Sequence, residues 1–289
     1  MTMINLEHLS YSSVDLFIMC ARAWRFRYVD KVVTLKSPNL IFGSAVHEAV
    51  EVYIRLLATD PSMPPLPIHE LWPDVWAHQL ELKGDKTAWD KPPEEYEKLG
   101  LAMLSKEVTV TGGGPERKMD NASAFLNGVK PMMDTGVFLV PFEPMGEPVL
   151  EQYVEFTVPG VPIPIVGYID IITDDGIPAD FKSAGRAWKT DKAHDSLQPA
   201  FYLAALNQTG YQGSPDFKFR YYIFTKSMRA PKIQIIETKR TVGQLFWLAD
   251  TIREVWEAIQ TGKFPPTGPG HWLCSERYCD YWSLCRGKV

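Results

Sequence analysis

Apart from Asp174 and Asp175, three charged side chains stand in a largely apolar run between Gly167 and Lys182, GYIDIITDDGIPADFK. Asp170 lies among isoleucines, where an ionised carboxylate is costly unless it is paired or holds a metal. Asp180 and Lys182 are two residues apart, so on a strand they leave one face together while Ala179 and Phe181 leave the other. An Asp-x-Lys tripeptide alone is a common surface ion pair. Here Val166, Ile169, Ile171 and Ile172 favour strand and Asp174-Asp175-Gly176 is turn chemistry, so two short strands joined at a tight turn are expected. They would bring two carboxylates and an ammonium to one place.

Other elements carry further candidates. A helix over about Phe42–Ala58 sets Val46, Val50, Tyr53, Ile54 and Leu57 on one stripe and leaves His47, Glu48 and Glu51 off it. Val149–Val158 alternates as a strand, with Glu151, Tyr153 and Glu155 on one face. Either acid could complete a metal shell, or the face could be an exposed edge. Asp195–Asn207 reads as a capped helix in which Gln198 and Tyr202, four apart, share a face.

The order of these elements resembles the PD-(D/E)xK nuclease superfamily, and most of all its RecB-like branch. Gly167-Tyr168-Ile169-Asp170 is similar to that branch's G-x-[IV]-D, and Asp180-Phe181-Lys182 to its D-x-K. Phe42 to Glu48 is similar to F-G-x-x-x-H-E, and Gln198 to Tyr202 to Q-x-x-x-Y. The resemblance implies a restriction-endonuclease-like α/β core, a central mixed β-sheet flanked by helices. It implies that His47, Asp170, Asp180 and the Phe181 carbonyl hold Mn²⁺ or Mg²⁺. Lys182 would position or deprotonate the attacking water, and Gln198 and Tyr202 would orient the lysine and the strand. The activity implied is a DNA exonuclease with little sequence specificity, in recombination, repair, replication or end processing.

Four cysteines, Cys20, Cys274, Cys279 and Cys285, make the arithmetic of a metal site, and both zinc and a 4Fe-4S cluster accept four thiolates. The resemblance favours the cluster, since one cysteine near the first helix and three near the last residues are similar to the iron-sulfur staple of RecB-like nucleases. The chain departs from that pattern in having four residues, not two, between Cys274 and Cys279. The staple would be structural.

The rest of the 289 residues supports these elements. Leu9–Tyr28 reads as one helix capped at Ser12 with Asp15 three residues on, carrying Cys20, and its Arg22, Arg25 and Arg27 could face a nucleic acid or water. His69–Leu82 and Glu94–Val108 have helical spacing between proline clusters, so 60–147 is expected as a mostly helical insertion in a single domain spanning 1–289. Residues 148–240 would form the catalytic sheet and helix, and 264–289 the cysteine-rich staple. Phe217–Thr225 and Lys232–Glu237 read as strands, and Thr241 with Gln244 as the capping box of a long helix. Gly112-Gly113-Gly114 reads as a loop and not a phosphate cradle.

Net charge is −5, yet 182–240 holds eleven bases against four acids while 60–151 holds eight against sixteen. A basic region beginning at the candidate lysine suits a polyanionic partner such as DNA. No run of eighteen apolar residues and no leader pattern occur, so a soluble cytoplasmic protein without membrane contact is expected. Two other classes stay open: a non-catalytic DNA-binding iron-sulfur or zinc subunit of a larger complex, and a nuclease that needs a protein partner, as in CRISPR end trimming. A phage setting and a homo-oligomer are equally compatible.

Overall fold

The protein is described by a computed structural model over residues 4–59, 66–134, 146–211 and 213–286. Pro61, Pro64, Pro65, Pro141 and Pro144, which belong to the expected proline clusters, lie outside the described residues.

The first apolar stretch forms two helices and not one. After strand β1 (Leu9–Ser10), helix α1 (Tyr11–Met19) is capped by Ser10, whose Oγ accepts from the Ser13 N–H at 3.2 Å. The cap falls at Ser10 and not Ser12 because Leu9 and Ser10 are extended, paired with Ile165 and Val166. Cys20 breaks the helix in an extended conformation (φ −162°, ψ 99°), and α2 (Ala21–Tyr28) follows. Helix α3 (Pro38–Thr59) starts at a proline, suited to a first turn, and buries Phe42, Val46, Val50, Tyr53 and Ile54.

The segment expected as a helical insertion contains α4 (Ile68–Lys83), α5 (Pro93–Ser105) and α6 (Ala122–Leu126), but also strands β2 (Val108–Thr111) and β3 (Arg117–Met119). The helical spacing read through Val108 ends at Ser105, because Val108 and Val110 alternate with threonines and enter the sheet. The three glycines join β2 to β3.

Strands β4 (Leu150–Phe156), β5 (Ile165–Ile172), β6 (Pro178–Ala184), β7 (Lys218–Thr225) and β8 (Lys232–Lys239) form the centre of one mixed sheet. Its order is β1-β5-β6-β7-β8-β2-β3, with β4 on the other edge of β5. Between β6 and β7 lie α7 (Thr190–Asp195) and α8 (Gln198–Gln208). Asp195 therefore closes one short helix instead of capping the next, since Pro199 suits a fresh first turn. Helix α9 (Val242–Gln260) begins with the expected capping box of Thr241 and Gln244, and α10 (Trp282–Cys285) ends the described chain.

Two apolar clusters cover the sheet. One joins α3–α6 to Ala179, Phe181, Tyr222 and Phe224; the other joins α1, α8 and α9 to Phe219, Tyr221 and Ile223. No helix is long and apolar enough to cross a membrane among the described residues.

Strand β5 is where the sheet opens. One edge pairs with β4 from Leu150↔Ile171 to Phe156↔Ile165. The other meets β1 at 165–166 and β6 at 171–172, leaving 167–170 without a strand partner there. Glu151 falls opposite Asp170, between the pairs Leu150↔Ile171 and Gln152↔Ile169. Both strands change face at that rung. Ile169 packs in the α8–α9 cluster while Ile171 packs with α3, and Val154 and Leu150 divide in the same way. Glu151 takes φ +49°, a conformation rare for a non-glycine residue and one that gathers at functional sites.

Candidate active site

The β5–β6 turn forms as its residues dictate. Gly176 sits at φ +77° and donates to the Thr173 carbonyl at 2.7 Å, and a side chain there would strike the Gly213 carbonyl oxygen. Pairing then holds for only two rungs. At the next rung the Phe181 N–H donates at 2.7 Å to Asp170 Oδ2, so a carboxylate occupies the place of a ladder acceptor and the strands part around it.

Asp170 (8% exposed) and Asp180 (1% exposed) are buried beside each other. Burial first, then the Asp180 charge, pushes the Asp170 carboxyl well above the usual carboxylate range, against the pull of Lys182 and the Phe181 N–H. His47, carried in by α3, brings Nδ1 to 3.3 Å from Asp170 Oδ2. Burial outweighs the nearby acids and lowers its pKa, which favours the neutral imidazole that ligates metals. Glu151 is pushed up to about 7 by burial and by the charges of Asp170 and Glu51.

The donor atoms of His47, Glu151 and Asp170 all lie within 4.8 Å of one another. A neutral imidazole with two carboxylates whose ionisation is suppressed is the donor set a hard divalent cation would stabilise. Of the two acids on β4, Glu151 joins this group, whereas Glu155 is exposed and accepts from the Tyr153 hydroxyl at 2.8 Å.

Asp180 stands one step aside. Its Oδ1 accepts from Gln198 Nε2 at 2.6 Å, and its Oδ2 is ion-paired with Lys182 Nζ at 2.6 Å without a well-formed hydrogen bond. A buried carboxylate oxygen so poorly satisfied has capacity left for a cation. Burial alone would lower the Lys182 pKa, but Asp180 and Asp170 more than offset this and hold the side chain as an ammonium. Gln198 also reaches the Tyr202 hydroxyl at 3.3 Å, and its Oε1 lies 3.3 Å from the Tyr221 hydroxyl. Gln198 thus fixes Asp180 directly, Tyr202 acts through Gln198, and Lys182 is reached only through Asp180.

Tyr221 and Tyr11 were not singled out from the sequence. Tyr221 pairs with Asp180 across β6–β7, a neighbour visible only once that register is known, and Tyr11 lines one cavity with Lys182 and Gln198. Glu48 follows His47 and is braced by His78 Nδ1 and Gln79 Nε2 of α4, each at 2.7 Å. The arginines of α2 are engaged locally: Arg22 donates to the Phe264 carbonyl, Arg25 pairs with Asp30, and Arg27 lies over the Tyr28 ring.

Away from this site, Cys20, Cys274, Cys279 and Cys285 line one small cavity with Phe26, Tyr281 and Trp282, and none is disulfide-bonded. Burial, followed by the charges of Cys20, Asp280 and Cys285, raises the Cys279 thiol. Among the described residues no three of the sulfurs lie within 4.8 Å of one another.

The sequence model of the PD-(D/E)XK nuclease superfamily matches residues 8–286. A crystal structure of a Eubacterium rectale protein, provisionally described as an exonuclease, superposes with a TM-score of 0.54 at 12% identity. The alignment covers 97% of this chain and 88% of that one, a likeness of fold. No curated protein matches the chain.

Proposed function

The chain belongs to the PD-(D/E)XK nuclease superfamily, and from that premise we propose that it is a divalent-metal-dependent DNA exonuclease of the RecB-like kind, reading little or no sequence. The observation that carries this reading is the meeting of His47, Glu151 and Asp170 beside the Asp180–Lys182 pair.

His47, Asp170 and Glu151 would hold Mn²⁺ or Mg²⁺, with Asp180 and the Phe181 carbonyl beside them. When bound, the ion supplies Lewis-acid polarisation of the phosphodiester and a more acidic water. Lys182, as an ammonium, offsets negative charge at the scissile phosphate and orients a water by hydrogen bonding. Gln198 holds Asp180 in place by its 2.6 Å bond, so the lysine keeps one position. None of these groups reads a base edge, which is why cleavage would be largely independent of sequence.

The four cysteines would carry a 4Fe-4S cluster. Their shared cavity supports a common ligand, and zinc is the alternative that four thiolates also accept.

End-labelled DNA incubated with Mn²⁺, Mg²⁺ or chelator tests the assignment. Wild type should shorten the labelled strand only with metal. Asp170→Asn, Asp180→Asn and Lys182→Ala should each lower the rate at least ~100-fold with the fold retained, on the scale of losing a positioned charge at a reacting centre. A substantial rate in any of the three would remove that residue from the site, and metal-independent cleavage would overturn the mechanism.

A further inference from the structure

Two cavities flank Lys182, and they differ in chemistry. The larger, about 640 Å³, is lined by His47, Glu48, Glu51 and Glu151 and so carries the acids. The other, about 410 Å³, lies between β5 and the helices α1 and α8, and Lys182 is its one charged lining residue. Five aromatic rings line it: Tyr11, Phe156, Tyr168, Phe201 and Tyr202. The second cavity is lined by Gly167 and Tyr168, on the stretch of β5 that has no strand partner on that edge.

Four of these rings are packed into the protein, but Tyr168 is 55% exposed. A large ring left open on a central strand, two residues before Asp170, is not explained by packing. Its orientation is nevertheless supported: Tyr153, directly across the ladder, meets it edge-on at 5.5 Å, and the Tyr153 hydroxyl is tied to Glu155. The volume is that of a small-molecule site. A nucleic-acid strand at Lys182 presents anionic phosphates and flat uncharged bases. The phosphates suit the cation-holding side, and the bases suit an uncharged aromatic recess, where stacking needs no particular base.

We propose that this recess is a base-binding subsite for the nucleotide joined to the scissile phosphate, with Tyr168 as its stacking face. The proposal rests on the nuclease reading of the site. It requires the bound base to be unpaired, because a base stacked on Tyr168 inside the recess has left its own helical stack.

The test is binding of a fluorescein-labelled single-stranded oligothymidylate, measured by anisotropy in chelator, with one abasic residue walked along the strand. Cleavage of the unmodified oligonucleotide with Mn²⁺ is measured in parallel. At one position the abasic residue should weaken wild-type binding about tenfold, and Tyr168→Ala should weaken binding of the intact strand by a similar factor. The two changes together should cost no more than either alone, and Tyr168→Trp should restore affinity. Unchanged binding by Tyr168→Ala, or losses that multiply at every abasic position, would overturn the subsite. If Tyr168→Ala binds and cleaves as wild type does, the subsite fails and the nuclease stands. If wild type shows the binding pattern but cleaves nothing with Mn²⁺, the nuclease reading fails and the recess stands as a base-binding site without a scissile phosphate.

Discussion

Glu151 sets folding against chemistry in two ways. Its backbone is left-handed at φ +49° and its carboxyl is pushed up to about 7, so without a cation it opposes the fold twice. The sign of the charge effect follows from linkage. A carboxyl that is harder to ionise in the folded chain than in the unfolded one leaves stability untouched at pH 4 and reduces it as pH rises to 7. A shift to about 7 corresponds to a ceiling of about 3 kcal/mol, and partial solvent exposure reduces this to about 1–2 kcal/mol. Metal-free Glu151→Gln should therefore melt a few degrees above wild type at pH 8 and level with it near pH 4.5. With saturating Mn²⁺ the order should reverse, since wild type gains the binding energy. Calorimetry at the two pH values, with and without metal, decides this. Equal melting of the metal-free proteins at pH 8 would mean that the carboxylate is not under repulsion.

At the scale of elements, the hairpin was largely legible and its neighbours only partly so. Period-two alternation placed Ala179 and Phe181 in one layer and Asp180 opposite, as the strand has them. The α9 capping box was equally readable, because Thr241 and Gln244 act on each other locally. Cys20 as a helix break was not legible, since the residues around it are sound helix formers and the break is imposed by packing on the 264–286 segment. The face switch at Glu151 and Asp170 was hidden too, because it exists only as a relation between two strands. Gly167 shows how motif and packing coincide: a Cβ there would lie 2.9 Å from Tyr202 Cε1. Gly167→Ala should displace that ring, loosen Gln198 from Asp180, and lower kcat about tenfold while the fold persists. Gly167→Ala placed on Tyr202→Ala should add almost nothing, because the obstruction is gone. Additive losses in this cycle would show that the glycine acts through something other than Tyr202.

Over the whole molecule, the site is where the two layers touch through the sheet. His47 comes from the α3 side, Gln198 and Tyr202 come from the α8 side, and the gap beside β5 lets them converge on one pair of aspartates. The α8 side is tied in turn to both ends of the described chain. Phe264 stacks on Trp24 at 5.7 Å and meets Phe17 edge-on, the Arg22 N–H donates to the Pro265 carbonyl, and Phe26 meets Tyr281 at 5.5 Å. The cysteine cavity lies beyond these contacts and shares no lining residue with either cavity at Lys182. Loss of the four-cysteine site should therefore act on stability and not on turnover. Cys279→Ser, purified without oxygen, should lose absorbance near 400 nm and melt several degrees lower. Its kcat per folded molecule, assayed well below that melting point, should stay within about twofold of wild type. Phe264→Ala is the companion measurement, since it weakens the same tie by about 1–3 kcal/mol while leaving every cysteine in place. Matching destabilisation with turnover preserved in both variants would make the tie mechanical, and a fall in kcat for Cys279→Ser alone would give the cysteines a part in the reaction.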